Sequence, residues 1–177
     1  MKDIQNLCRI KVISVHQFIE NYWGINMIIL VDGDACPVTS LIERIAKTYG
    51  IRVVFFHSTC HHSCYSNDAY VEKIMVDNVS QAVDMAIINK VSEGDIVVTG
   101  DFGLASLILA KKARAISFNG MIFCEDNIDK LLFERYVAGA VRRGGGRVKG
   151  PARRTKRDDS RFEKSLSFLI SQNMKDI

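Results

Sequence analysis

Apolar positions fall into two kinds of run along the chain. "MIILVD", "IRVVFFH" and "DIVVTGD" are continuous and of strand length, the pattern of strands buried on both faces. Other segments repeat their apolar residues at helical spacing. "PVTSLIERIAKTYG" puts Leu41, Ile42, Ile45 and Ala46 on one side, with Pro37 suited to the first helical position and Gly50 to the stop. "SQAVDMAIINKVSEG" predicts a helix with Ser80 as N-cap and Gly94 at its end. "GLASLILAKKA" predicts a short helix, and "DNIDKLLFERYVAGAVRR" a longer one capped by Asp126 or Asn127. "YVEKIMVD" and "ARAISFN" predict two more strands. "GGGRVKGPARRTKR" has no periodicity. Beyond it, "DDSRFEKSLSFLISQ" aligns Phe162, Leu166, Leu169 and Ile170 on one helical face, which predicts a last helix docked on the body.

Strands alternating with helices predict an α/β protein with a doubly wound, mainly parallel sheet. Residues 1–26 read as an N-terminal extension, 27–143 as the α/β domain, and 144–177 as a basic, glycine-rich loop with its docking helix. Met27 stands directly before the first strong strand and is a candidate translation start, which N-terminal sequencing of the native protein would settle. Doubly wound sheets bind ligands beyond the carboxyl ends of their strands. That rule marks "DGDACP", "HSTCHHSCYSND" and "TGDFGLA".

Composition refines this picture in two respects. The 177 residues are 47% hydrophobic and 25% charged, as in an ordinary globular chain, and no apolar run reaches the roughly 18 residues of a membrane helix. The net charge of +4 is unevenly spread: residues 142–164 hold ten basic and three acidic side chains, a net +7, leaving −3 elsewhere. An acidic body with a basic tail suits a polyanionic partner, although a solvated linker has the same composition. Five cysteines, without an export signal, imply reduced thiols and a cytoplasmic location.

The candidate chemistry lies in the aspartates. Asp32 and Asp34 end the first strand with only Gly33 between them, and alternate strand residues point the same way. Asp101 follows the "IVVT" strand, and Asp84 sits in a mostly apolar helix. If the first and "IVVT" strands are neighbours, Asp32, Asp34 and Asp101 converge. Several carboxylates in one crevice call for a hard cation, Mg²⁺ or Mn²⁺, as in phosphodiester hydrolysis. The plainer alternative is that these aspartates cap helices and fill turns.

"VDGDACPV", "AVDMAI", "GDIVVTGDFGLASLIL", "NGMIFCEDNIDKLL…RY" and "R…GGRVKGP…F" together resemble the YaiI/YqxD family of bacterial proteins, from about Met27 to the last helix. That uncharacterised family resembles in turn the PIN-like superfamily of metal-dependent nucleases. The resemblance implies a Mg²⁺- or Mn²⁺-dependent ribonuclease. Asp32, Asp84 and Asp101 match the acidic positions, Asp34 is a further metal ligand, and Thr99 of "TGD" is a supporting hydroxyl. Family members often carry an acidic residue three before the helix aspartate; Gln81 stands there, which leaves the number of metals open.

Two other activities compete. "DGDAC" also resembles the opening of haloacid-dehalogenase-type phosphatases, with Asp32 as nucleophile and Asp34 as acid. Cys36 and Ala105 stand where such enzymes carry a threonine and an acidic residue, which counts against it. A catalytically silent RNA-binding or regulatory module on the same fold is the other. His57, Cys60, His61, His62 and Cys64 are rich in zinc-ligand types but lack a second ligand pair, so a structural zinc site is not expected. Arg142, Arg143, Arg147, Lys149 and Arg153 are the candidate contacts to RNA phosphates.

Overall fold

The computed structural model describes residues 27–58, 69–79, 81–148, 150 and 152–174. Its elements alternate in chain order: β1 (Ile28–Asp32), α1 (Thr39–Tyr49), β2 (Arg52–Ser58), β3 (Val71–Val76), α2 (Ala82–Lys90), β4 (Ile96–Val98), α3 (Phe102–Ala110), β5 (Arg114–Ile116), β6 (Ile122–Phe123), α4 (Glu125–Arg143) and α5 (Lys156–Asn173). The strands form one sheet in the order β3-β2-β1-β4-β5-β6. All pairings are parallel except that of β6 with β5. The sheet is thus doubly wound, and its connections change direction between β1 and β4.

The continuous apolar strands are buried on both faces, as their sequence predicts. Ile29, Val31, Val53, Phe55, Ile96 and Val98 face a core completed by α1 and α5. Leu30, Val54, Phe56 and Val97 face a second core with residues of α2, α3 and α4. Asp95 anchors the start of β1: its buried carboxylate accepts the Ile28 and Ser92 N–H groups at 2.9 and 2.8 Å.

Local chemistry moved several helix ends. α1 begins at Thr39, two residues after Pro37, and its N-cap Val38 offers no side-chain cap; Gly50 ends it in the left-handed conformation, as predicted. Ser80 lies outside the described residues, and Gln81 is the N-cap of α2, with φ 65°. α2 stops at Lys90, before Gly94 is reached. Neither Asp126 nor Asn127 is the N-cap of α4. Cys124 holds that place, and Asn127 Oδ1 reaches back to accept its N–H at 3.1 Å. The two-residue strand β6 is too short to leave a pattern and was missed.

The final helix docks as its apolar stripe predicts, with Phe162, Leu166, Leu169 and Ile170 buried. Its N-cap is Thr155, whose hydroxyl accepts the Asp158 N–H. Arg154 and Arg161 clasp the β5–β6 turn by donating to the carbonyls of Phe118 and Asn119. Gly120 in that turn has φ +81°, and a Cβ there would come within 2.7 Å of the Phe162 backbone nitrogen. Gly120→Ala therefore combines an unfavourable backbone with a clash against helix backbone. An expected loss of about 2–3 kcal/mol would show as a lower midpoint in urea unfolding.

Candidate functional site at the carboxyl edge of the sheet

Strand alternation decides which layer the first aspartate joins. Asp32 follows Leu30 on the same face of β1, so it points toward the layer of α2, α3 and α4. Thr99 follows Val97 in the same way on the neighbouring strand. Val31 is paired with Val98, which brings Asp32 beside Thr99. The fully buried Thr99 hydroxyl donates to Asp32 Oδ2 at 3.1 Å and accepts the Asp101 N–H at 3.0 Å. One threonine thereby fixes the spacing of two aspartates across the point where the sheet changes direction.

Asp101 is the N-cap of α3. Its Oδ1 accepts the Gly103 and Leu104 N–H groups at 2.6 and 3.2 Å, and Arg135 Nη1 at 2.8 Å. Burial alone would raise this carboxyl; the Arg135 guanidinium and the two N–H groups outweigh it and hold Asp101 below the usual carboxylate range. Asp84, in the first turn of α2, is half-buried. Burial and the Asp101 charge raise it, partly countered by Arg135. Asp32 is raised by burial and by the charges of Asp84, Asp34 and Asp101, against the Thr99 hydrogen bond. The structure thus brings Asp32, Asp84 and Asp101 together from three separate elements.

Asp34 is anchored to the end of the neighbouring strand. The chain turns at Gly33, whose N–H donates to Phe56 O at 2.9 Å, and Asp34 swings to the end of β2. There its Oδ1 accepts the Ser58 N–H at 2.9 Å and lies 3.7 Å from His57 Nδ1. It does not cap α1. The His57 ring fills the space where a side chain at Gly33 would stand, 2.4 Å from an added Cβ. Any larger residue at this position would have to displace the His57 ring. The dense ligand types Cys60, His61, His62 and Cys64 lie outside the described residues.

Asp32 and Asp101 open onto a crevice of about 390 Å³, walled also by Ala35, Phe102, Phe118 and Arg135. Arg135, on α4, is the site residue that sequence reasoning missed. It stood in plain view as the arginine of "RY", but helical periodicity gave no sign that α4 crosses the crevice mouth. Ala105, where a phosphatase would carry its late acidic residue, is fully buried in the core.

Among the described residues, no three His, Cys, Asp or Glu side chains are gathered tightly enough to enclose a metal ion. The donors fit a smaller demand. Among the described residues no hydrogen bond reaches Asp32 Oδ1 or Asp101 Oδ2, while the opposite oxygen of each is fixed by hydrogen bonds. Mg²⁺ needs only one or two such carboxylates and keeps its remaining waters.

Arg142 and Arg143 form the last turn of α4, where they also complement the helix dipole. Arg147 and Arg153 are exposed. Lys149 lies outside the described residues. No described helix is long and apolar enough to cross a membrane.

Fold and site together define a doubly wound α/β protein with an aspartate-lined crevice at its switch point. A sequence profile described as "Uncharacterized BCR, YaiI/YqxD family" matches residues 30–172. A UPF0178 protein of Clostridium kluyveri is 50% identical over 144 residues, covering 81% of this chain and 93% of the relative. One from Clostridium tetani is 44% identical over 151 residues, covering 84% of this chain and all (100%) of the relative. The chain belongs to the YaiI/YqxD family. A crystal structure of Rae1 (YacP) from Bacillus subtilis aligns over 82% of this chain and 99% of its own, at 20% identity and a TM-score of 0.37, too loose a likeness to carry an argument.

Proposed function

We propose that this protein is a Mg²⁺- or Mn²⁺-dependent ribonuclease that hydrolyses RNA phosphodiesters in the aspartate-lined crevice. The observation that carries the reading is the Thr99 bridge that holds Asp32, from β1, and Asp101, at the start of α3, on one crevice, with the charge of Asp84 from α2 acting on both. Crowded, half-buried carboxylates cost free energy unless a cation relieves them. Asp32 and Asp101 would hold the ion, with Asp84 helping to neutralise it and to orient its waters. Asp34, whose charge also acts on Asp32, would assist. A bound Mg²⁺ or Mn²⁺ supplies charge stabilisation at phosphate and an acidified water. The protein's own part is positional: Thr99 sets the spacing of Asp32 and Asp101, and Phe102 and Phe118 line the approach. Arg142, Arg143, Arg147, Lys149 and Arg153 would hold the strand by its phosphates.

One observation favours a second reading. Arg135 already pairs with Asp101, and no three-ligand cage stands ready among the described residues. A silent RNA-binding module would look the same. The two readings part in one experiment: Mn²⁺ binding by calorimetry beside cleavage of a mixed RNA pool, for wild type and Asp32→Asn/Asp101→Asn. The ribonuclease predicts that the double variant loses both metal affinity and cleavage. Unchanged metal affinity in that variant would sink the site. Metal binding with no cleavage of any nucleic acid would favour the silent module.

A further inference from the structure

Arg135 occupies an unusual position on its helix. Before it, Ile128, Leu131 and Leu132 pack α4 onto the second core. After it, the helix overhangs: Tyr136, Val137 and Ala140 to Arg143 are all exposed. Arg135 sits at the lift-off point and turns one guanidinium nitrogen onto Asp101. One heptad on, Arg142 lies on the same face, about 10 Å farther along. Among the described residues, neither Arg142 nor Arg143 has an ion pair, so this inner face of α4 offers uncompensated positive charge.

The Arg135–Asp101 bond is built to be exchanged. It uses one of the five guanidinium N–H donors, and the Arg135 side chain is 53% exposed. Ion pairs that exposed contribute little stability, so breaking one is cheap. The free fork of the guanidinium matches two phosphate oxygens, a better partner than a single carboxylate oxygen. The same cation, while it stays on Asp101, opposes any divalent ion approaching that carboxylate.

We propose that Arg135 is an exchangeable counter-ion: it neutralises Asp101 until a nucleic-acid phosphate draws it away, so that strand binding and divalent-cation binding assist each other. This rests on the metal-dependent reading of the crevice and adds to it a coupling that the fold alone does not require. Arg135 is then a positioning residue. The Arg135 guanidinium passes from carboxylate to phosphate, which would free Asp101 to hold a divalent cation. No covalent bond changes.

The test is Mn²⁺ affinity by calorimetry, with and without a saturating short phosphorothioate oligonucleotide, corrected for Mn²⁺ held by the oligonucleotide alone. Wild type, Arg135→Gln and Arg135→Lys are compared, with thermal unfolding as a check on folding. In wild type the oligonucleotide should tighten Mn²⁺ binding by at least about fivefold, and Mn²⁺ should tighten the oligonucleotide equally, since coupling is reciprocal. Arg135→Gln should bind Mn²⁺ more tightly than wild type without oligonucleotide, and the oligonucleotide should add nothing. Arg135→Lys, which keeps the charge but not the fork, should retain part of the coupling. Mn²⁺ binding that is uncoupled in wild type, or coupling that survives in Arg135→Gln, would overturn the proposal and leave the metal site standing. Failure of wild type to bind Mn²⁺ under either condition would overturn both.

Discussion

Asp32→Asn is expected to lower RNA cleavage by at least about 100-fold, the upper end of what residues supporting a metal site cost. It is also expected to make the metal-free protein more stable at neutral pH. The two effects share one cause. Asp32 is raised above the ordinary carboxylate value by burial and by its acidic neighbours, so its ionised form is disfavoured in the folded state. A group raised in this way contributes stability below its unfolded pKa and loses it as pH climbs through the folded value. Near neutrality Asp32 is a net burden. Asparagine keeps an oxygen to accept the Thr99 hydroxyl and sheds the charge. The stability gap between variant and wild type should therefore open as pH rises and close in acid. Asp101 titrates with the opposite sign. Its pairing with Arg135 holds it low, so its contribution is present above the ordinary carboxylate value and fades as pH falls through its folded pKa. Urea unfolding of both proteins across the acid-to-neutral range checks the signs. An Asp32→Asn protein less stable than wild type at neutral pH would show that the carboxylate is satisfied without a cation.

Phe162→Ala should destabilise the protein by about 3–5 kcal/mol, a large share of the 5–15 kcal/mol typical of a domain. The Phe162 ring is fully buried, at 0% exposure, among Val31, Val98, Ile116 and other residues of the first core. Its backbone lies against Gly120, so neither side of the gap can close easily. Phe168, on the same helix but 51% exposed, is the control, and its replacement by alanine should change stability by no more than about 0.5 kcal/mol. Denaturant unfolding followed by circular dichroism reads both. Similar losses for the two variants would mean that α5 is not held by its apolar stripe.

Much of the fold is legible in the chain because its strands are buried on both sides. Runs such as "IILV" and "RVVFF" leave no choice of face, and the helices between them force a parallel sheet. The stripe from Phe162 to Ile170 marked the last helix for the same reason. What could not be read was geometry at the ends of elements. The spacing of Asp32 and Asp34 leaves Asp34 either a ligand or a helix cap; Gly33 turns the chain and sends Asp34 to Ser58 and His57 instead of the cap. Asp126 and Asn127 both looked like caps, but Cys124 lies extended and Asn127 serves from within the first turn. Within the candidate site, Asp32, Asp34 and Asp101 group once the first and "IVVT" strands are taken as neighbours, and the "TGD" resemblance adds Thr99. Arg135 could not be grouped with them, because the angle at which a helix leaves the body depends on packing that no local pattern records.

The clasp of α5 on the β5–β6 turn has a consequence for the order in which the protein is made. Every carboxylate of the crevice, and Arg135, is synthesised before the first residue of α5. Yet the first core, which supports β1 and β4 from behind, lacks Phe162, Leu166, Leu169 and Ile170 until α5 has been made. On the ribosome the aspartates would therefore be present long before the sheet that aligns them can be sealed. Assembly of the crevice is tied to synthesis of α5, and a chain released before residue 156 would carry every site residue without a closed core to hold them in register.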